Sequence, residues 1–213
     1  MAIIDINRSY TFSNYSELKI DPIDLAEYFS YSIRRTPLKL SQYEGGINRL
    51  ETLIADINDI LPRLITMNEQ AKREMLIAPI VRAVVQIADA FVRVEYPVSV
   101  SNQLQGNLDY LLSVDNLGQL LVIEAKRDDL DYGFTQLIAE LIALDFWERS
   151  PSVEKQPQLV GAITTGQIWQ FALLDRKSKH IDQGLDFYVL PRDIETLIRI
   201  LVQSLRPVIT GVS

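Results

Sequence analysis

Apolar positions recur along this chain at two spacings, and the changes of spacing mark its elements. Ile47, Leu50, Leu53, Ile54, Ile57, Ile60 and Leu61 follow a helical period, which predicts a helix over Ile47–Leu61 that Pro62 interrupts or ends. Met75, Leu76, Ile80, Val81, Val84, Val85 and Ala88 predict a second, long helix, Glu69–Phe91, with Asn68 as its cap and Pro79 kinking or splitting it. The pattern then becomes strand-like. Val92–Val100 is a strand in which Pro97 implies an edge or a bend, and Gln105–Val114 is the next. A polar turn at Asp115–Gln119, containing Gly118, leads to Gln119–Lys126, so the three strands form an antiparallel meander.

Helical spacing returns over Thr135–Arg149, with a stripe of Leu137, Ile138, Leu141, Ile142 and Leu144. Ser150–Pro157 is a loop. Leu159–Thr164 is a nearly continuous apolar run, as in a buried strand. Ile168–Leu174 and Leu185–Leu190 are further strands around a polar turn region, Asp175–Gly184, and Ile194–Leu205 is a last amphipathic helix. At the other end, Tyr10, Phe12 and Tyr15 alternate as in a strand or extended arm. Asp21 before Pro22 starts a helix, Pro22–Ile33, that buries Leu25, Tyr28 and Phe29. Pro37–Leu40 is a short strand, and Gly45-Gly46 breaks the chain.

This order predicts a mixed α/β fold: a central mixed sheet with helices on both faces. Residues 1–66 form a mainly helical N-terminal extension and residues 67–213 the α/β core. The length of 213 residues and a hydrophobic content of 47% allow a sizeable core. There is no cysteine, which excludes disulfides and thiolate chemistry and fits a reducing, cytoplasmic setting. His180 is the only histidine, so a histidine metal site or a His-dependent triad has almost no material. No stretch reaches the ~20 apolar residues of a membrane span. The net charge of −7 counts against a surface that grips nucleic acid everywhere, while leaving room for a local basic groove.

The chemistry gathers at Leu104–Glu148. Side chains alternate along a strand, so Glu124 and Lys126 share a face while Ile123 and Ala125 point away. Asp109, on the neighbouring strand, is flanked by Leu108 and Tyr110, which are expected to pack on the opposite side. Two carboxylates on adjacent strands suit a hard cation such as Mg²⁺, or Mn²⁺ in its place. Lys126 would orient an attacking water or stabilise the phosphoryl transition state. Gln136 and Glu140 share one face of the following helix, and Glu74 on the long preceding helix is a further acid for the site.

Asp109, then Glu124-Ala125-Lys126 ending an apolar strand, then a helix carrying Gln136, resembles the PD-(D/E)XK nuclease superfamily, whose fold is that of restriction endonucleases. That family's core runs helix, three antiparallel strands, helix, strand, an order followed by Glu69–Ile163. The segment also resembles uncharacterised bacterial, particularly cyanobacterial, proteins. The resemblance implies Mg²⁺-dependent hydrolysis of phosphodiesters, with DNA as the expected partner. Asp109, Glu124 and Glu74 would bind metal, Lys126 would assist the water, and Gln136 would be the accessory helix residue. Leu108 departs from the proline that many members carry before the first acid.

Plainer readings stand beside these. Glu-x-Lys alone is common on exposed strands, and its context is what raises it. Glu140 is expected on the helix surface, and Glu74 is as readily plain surface as site. Asp128, Asp129 and Asp131 read as a solvated loop and helix N-terminal charge. His180 reads as surface in a polar turn, Thr164-Thr165-Gly166 as a strand turn, and Trp169 and Phe171 as core. Lys72, Arg73, Arg127, Arg176, Lys177 and Lys179 are candidate phosphate contacts, although scattered basic residues usually have no specific role. A nuclease-like domain that only binds DNA or assembles is the alternative function. A third is an oligomer, with Pro22–Ile33 and Ile47–Leu61 as a homodimer surface.

Overall fold

The computed structural model describes residues 4–65, 68–115, 117–126 and 130–206. Its first regular element is a helix, Phe12–Glu17 (α1), where an extended arm was expected. Thr11 and Asn14 close a reciprocal cap at its start, and that local bonding outweighs the strand-like aromatic spacing. Asp21 caps Pro22–Tyr28 (α2) as its sequence predicts, its carboxylate accepting the Ile23 N–H at 2.8 Å. This helix ends before Ile33 because Ser32–Thr36 departs as a strand (β1). The strand therefore precedes Pro37–Leu40, which is irregular.

Leu50–Ile60 (α3) runs into a 3₁₀ turn, Leu61–Arg63, that carries Pro62. Asn68 then accepts the N–H of Ala71 at 2.8 Å and starts Glu69–Lys72 (α4). A π-turn, Arg73–Ile77, joins α4 to Ala78–Ala88 (α5). Pro79 offers no N–H to the carbonyl four residues back and its ring crowds that carbonyl. The wider π-turn just before it absorbs the conflict, so the helix continues instead of splitting. Asp89, at φ 51°, terminates α5, and Phe91 belongs to the next strand.

Phe91–Ser101 (β2), Leu104–Val114 (β3) and Gln119–Ala125 (β4) form the expected meander. A helix, Leu130–Phe146 (α6), crosses over to Gln158–Thr164 (β5), which lies parallel to β4. It begins and ends earlier than the Thr135–Arg149 expected. Ile168–Asp175 (β6) returns antiparallel. The polar turn region shrinks, because His180–Gly184 is itself a strand (β7) paired with β6 and with β1. The strand expected at Leu185–Leu190 reduces to Tyr188–Val189 (β8), followed by Ile194–Ser204 (α7).

The strands make one mixed sheet of eight, in the order β1-β7-β6-β5-β4-β3-β2, with β8 on β6. Pro97 lies on the edge strand β2, where a missing ladder donor is tolerated. Helices flank both faces. On one, α1, α2 and α6 bury Phe12, Tyr15, Leu25, Phe134, Leu137 and Leu141. On the other, α3, α5 and α7 bury Ile57, Ile80, Val84, Leu197 and Leu201. Trp169 and Phe171 are core, as expected. From the N-terminal segment, β1 extends the sheet and α1 and α2 pack on α6. Leu25 and Ala26 of α2 are buried inside the chain, while Tyr28, expected in the core, is exposed. No helix of the described residues is long and apolar enough to cross a membrane.

β4 is buried along its whole length, since helices cover both faces of the sheet there. The middle of α6 is buried on every side, between the sheet and α1 and α2, rather than along one stripe. Polar groups on these two elements are thus forced to find partners in each other.

Candidate active site

Asp109 owes its position to an irregularity in the β2–β3 pair. Val94 pairs with Tyr110 and Tyr96 with Leu108, while Glu95 between them adopts φ 51°. The alternation of side chains breaks there. Leu108 packs in the core under α6 and Tyr110 in the core on the other face, not together as strict alternation predicts. The β3–β4 ladder stops at Tyr110 and Ile123. Beyond it the Asp109 carboxylate takes over, with Oδ2 accepting the backbone N–H of Ala125 at 2.7 Å. Asp109 is thereby tied to the end of β4, between Glu124 and Lys126.

Glu124 lies on the α6 face of β4 and is 2% exposed. Its Oε1 accepts from Lys126 Nζ at 2.8 Å and from Gln136 Nε2 at 2.7 Å. Gln136 is the hub. Its Nε2 also donates to Glu140 Oε1 at 2.9 Å, and its Oε1 accepts from Lys126 Nζ. Glu140, expected on the surface, is completely buried. The reason is the burial of α6 on all sides, which a single-helix period does not reveal. Glu124 Oε2 and Glu140 Oε2 are buried with no donor from any other residue, and the proton that Glu140 retains is shared with Glu124. Gly133 lets this packing occur: a Cβ there would lie 2.5 Å from Ile163 Cδ1 and 2.7 Å from Lys126 Cγ.

Burial and the charge of Asp109 push the Glu124 carboxyl up to about 7, against the pull of Lys126. Burial and Glu124 push Glu140 well above the usual carboxylate range. Burial also raises Asp109, and the Ala125 N–H and Arg73 only partly offset it. Burial alone would lower Lys126, but the neighbouring carboxylates outweigh that and raise it, so it is a firm cation. Two opposed environments thus meet at one point: acids short of positive charge and a protonated lysine.

The chain matches no protein-family model and no curated protein. The cluster opens onto a cleft. Its volume is about 480 Å³, and its lining includes Asp109, Glu124, Lys126, Gln136, Glu95 and Arg73. Of the residues singled out in the sequence, Asp109, Glu124, Lys126 and Gln136 come together, with Glu140 behind them.

Glu74 does not join them. It is exposed, accepts from Gln70 at 3.0 Å, and faces a separate cavity between α3 and α5. The π-turn re-phases this helix, and the acid it brings to the cleft is Glu69. Arg73 is the residue sequence reasoning undervalued. Its guanidinium lies 3.2 Å from Asp109 Oδ1 and 2.5 Å from Glu95 Oε1, above the Tyr110 ring. Arg176 and Lys179, candidate phosphate contacts, are committed to Asp145 at 2.7 Å and 2.6 Å. His180 belongs to β7 and pairs with Ser32 Oγ at 2.7 Å. Thr164 Oγ1 accepts the Gly166 N–H at 2.8 Å, as befits a strand turn. Arg127, Asp128 and Asp129 lie outside the described residues, as does the side chain of Asp131.

Among the described residues no three acidic or imidazole side chains converge on a ready-made cation site. Two carboxylates do, however, suit a cation that keeps several waters and takes the rest of its ligands from a substrate phosphate. Glu124, buried beside Glu140 and raised by burial and by Asp109, is the carboxyl whose charged form such an ion would stabilise.

Proposed function

We propose that this protein is a divalent-cation-dependent nuclease that hydrolyses phosphodiesters, with DNA as substrate, built on a restriction endonuclease-like core of the PD-(D/E)XK superfamily. The observation that carries the reading is the Glu124–Lys126–Gln136 cluster at the end of β4, with the Asp109 carboxylate bonded into the same strand end. The order α5, β2-β3-β4 meander, α6, parallel β5 supports the fold assignment.

Asp109 and Glu124 would hold Mg²⁺ or Mn²⁺ from two strands of the sheet. When bound, the ion lowers the pKa of a coordinated water and offsets charge on the phosphoryl oxygens. The rest falls to the chain's own side chains. Lys126, its Nζ held by Glu124 and Gln136, would orient the attacking water or donate to the developing negative charge. Gln136 fixes the Lys126 ammonium and the Glu124 carboxylate at once, which removes their rotameric freedom before substrate arrives. Glu140 anchors the Gln136 amide from behind and is a positioning residue.

Cleavage of circular duplex DNA in Mg²⁺, compared among wild type, Asp109→Ala and Glu124→Ala, tests the proposal. Cleavage by the wild type that both variants lose supports it, and cleavage that both retain overturns it. A second reading, a nuclease-like domain that binds or assembles without cutting, is favoured by one observation. Arg73 already pairs with Asp109 Oδ1 while Ala125 engages Oδ2. It predicts no cleavage in Mg²⁺ or Mn²⁺.

A further inference from the structure

Arg73 opens the π-turn, a helical irregularity that turns its side chain toward the sheet. Its guanidinium meets Asp109 Oδ1 at 3.2 Å, Glu95 Oε1 at 2.5 Å and, more loosely, Glu69 Oε1 at 3.9 Å. It lies 5.5 Å over the Tyr110 ring, a favourable cation–π position. Glu95 meets it from a left-handed backbone conformation, which is strained for a residue with a side chain. Asp109 Oδ2 is taken by the Ala125 N–H, so Oδ1 is the oxygen left to face a cation, and Arg73 occupies it.

We propose that Arg73 is a built-in competitor for the cation at Asp109 and that, once displaced, it binds a phosphate of the substrate. This rests on the cation-dependent reading above. Two positive groups cannot share Asp109 Oδ1 without repulsion, so a divalent ion arriving there drives the guanidinium off. Glu69, Glu95 and the Tyr110 face keep the released side chain inside the cleft. There its planar fork matches phosphate geometry. The cleft has need of it: its described lining carries Glu69, Glu95, Asp109 and Glu124 against the two bases Arg73 and Lys126. A phosphodiester therefore enters favourably only when ion and guanidinium both face it, and arrival of the ion releases the second donor.

The test is Mn²⁺ binding to the full chain, followed by the paramagnetic resonance of free Mn²⁺, for wild type, Arg73→Gln and Arg73→Lys. Arg73→Gln should bind roughly fivefold tighter than wild type, the scale of one partly exposed ion pair. Arg73→Lys keeps the charge and should bind more weakly than Arg73→Gln. Affinity in Arg73→Gln equal to or below wild type overturns the inference while leaving the cation site standing. No binding by either protein, alone or with duplex DNA present, removes the cation reading and this inference with it. Thermal melts guard against a merely structural role. Mn²⁺ should raise the melting temperature of Arg73→Gln by more than that of wild type, and an equal or smaller rise overturns the competition. With a cleavable DNA at saturating Mn²⁺, Arg73→Gln should raise KM, and an unchanged KM overturns the phosphate contact.

Discussion

Asp109 accepts the backbone N–H of Ala125, the residue between Glu124 and Lys126, at 2.7 Å. One carboxylate thus does two jobs: it closes the end of the β3–β4 ladder and presents its other oxygen to the cleft. The jobs can be separated. Asp109→Asn keeps an acceptor for Ala125 but removes the charge. Asp109→Ala leaves a buried N–H unpaired, at a cost of about 1–3 kcal/mol. Urea denaturation should find Asp109→Asn near wild type and Asp109→Ala less stable, with both inactive. Equal stability of the two variants would show that the Ala125 bond contributes nothing.

The Glu124 and Glu140 carboxyls bind protons more tightly in the folded chain than in the unfolded one. Stability from this source is complete below the ordinary value of 4.5 and is lost as pH rises through about 7 for Glu124. Asp145 and Asp182 are shifted the other way, so their contribution is complete above 3.8 and does not vary in the same range. Without divalent cations, the urea midpoint should therefore fall between pH 5 and pH 8, and Glu140→Gln should flatten the fall. A midpoint that rises over that range contradicts the assignment.

Gly133 faces Lys126 and Ile163 with no room for a side chain. Gly133→Val must push on the Lys126 stem, which sets the ammonium. We expect overpacking to cost about 1–3 kcal/mol and cleavage to fall by more than the loss of folded protein explains. Activity per folded molecule, measured well below the melting temperature, checks this. An unchanged value would mean that Lys126 tolerates displacement.

Asp145 holds the far end of α6. It accepts from Arg176 at 2.7 Å, Lys179 at 2.6 Å and Tyr31 Oη at 2.7 Å, and these partners outweigh burial to keep it ionised. The Arg176 side chain is 4% exposed, so Asp145→Ala strands a buried cation. A loss of about 3–5 kcal/mol in denaturant unfolding is expected. A loss under about 1 kcal/mol would mean that Pro151 and Gln156, whose carbonyls also bind Arg176, suffice.

The periodic segments were legible in the sequence. α7 announces itself by its helical spacing, and β4, β5 and α6 by apolar runs bounded by turn residues, dense enough to be buried on both faces. Asp109, Glu124, Lys126 and Gln136 follow from the meander and the helix after it. What escaped depends on tertiary facts. Glu140 looks like surface until α6 is known to be covered on all sides. Glu74 was misplaced because a π-turn, compensating for Pro79, shifts the helical phase by enough to bring Arg73 and Glu69 to the cleft instead. β1 and β7 were hidden because short polar strands such as Ser32–Thr36 and His180–Gly184 carry no apolar alternation, and only their pairing reveals them. Gly133 lies just ahead of the helix expected at Thr135, and its place inside α6 follows only from the earlier start of that helix.

The most direct test of the central claim is calorimetric titration of Mn²⁺ into wild type and Glu124→Gln. The substitution keeps the shape of the side chain and its bond to Gln136 while removing the carboxylate charge. We predict binding to the wild type, with release of protons below pH about 7, and its loss in Glu124→Gln. Equal binding by the two proteins would place the ion elsewhere and contradict the account.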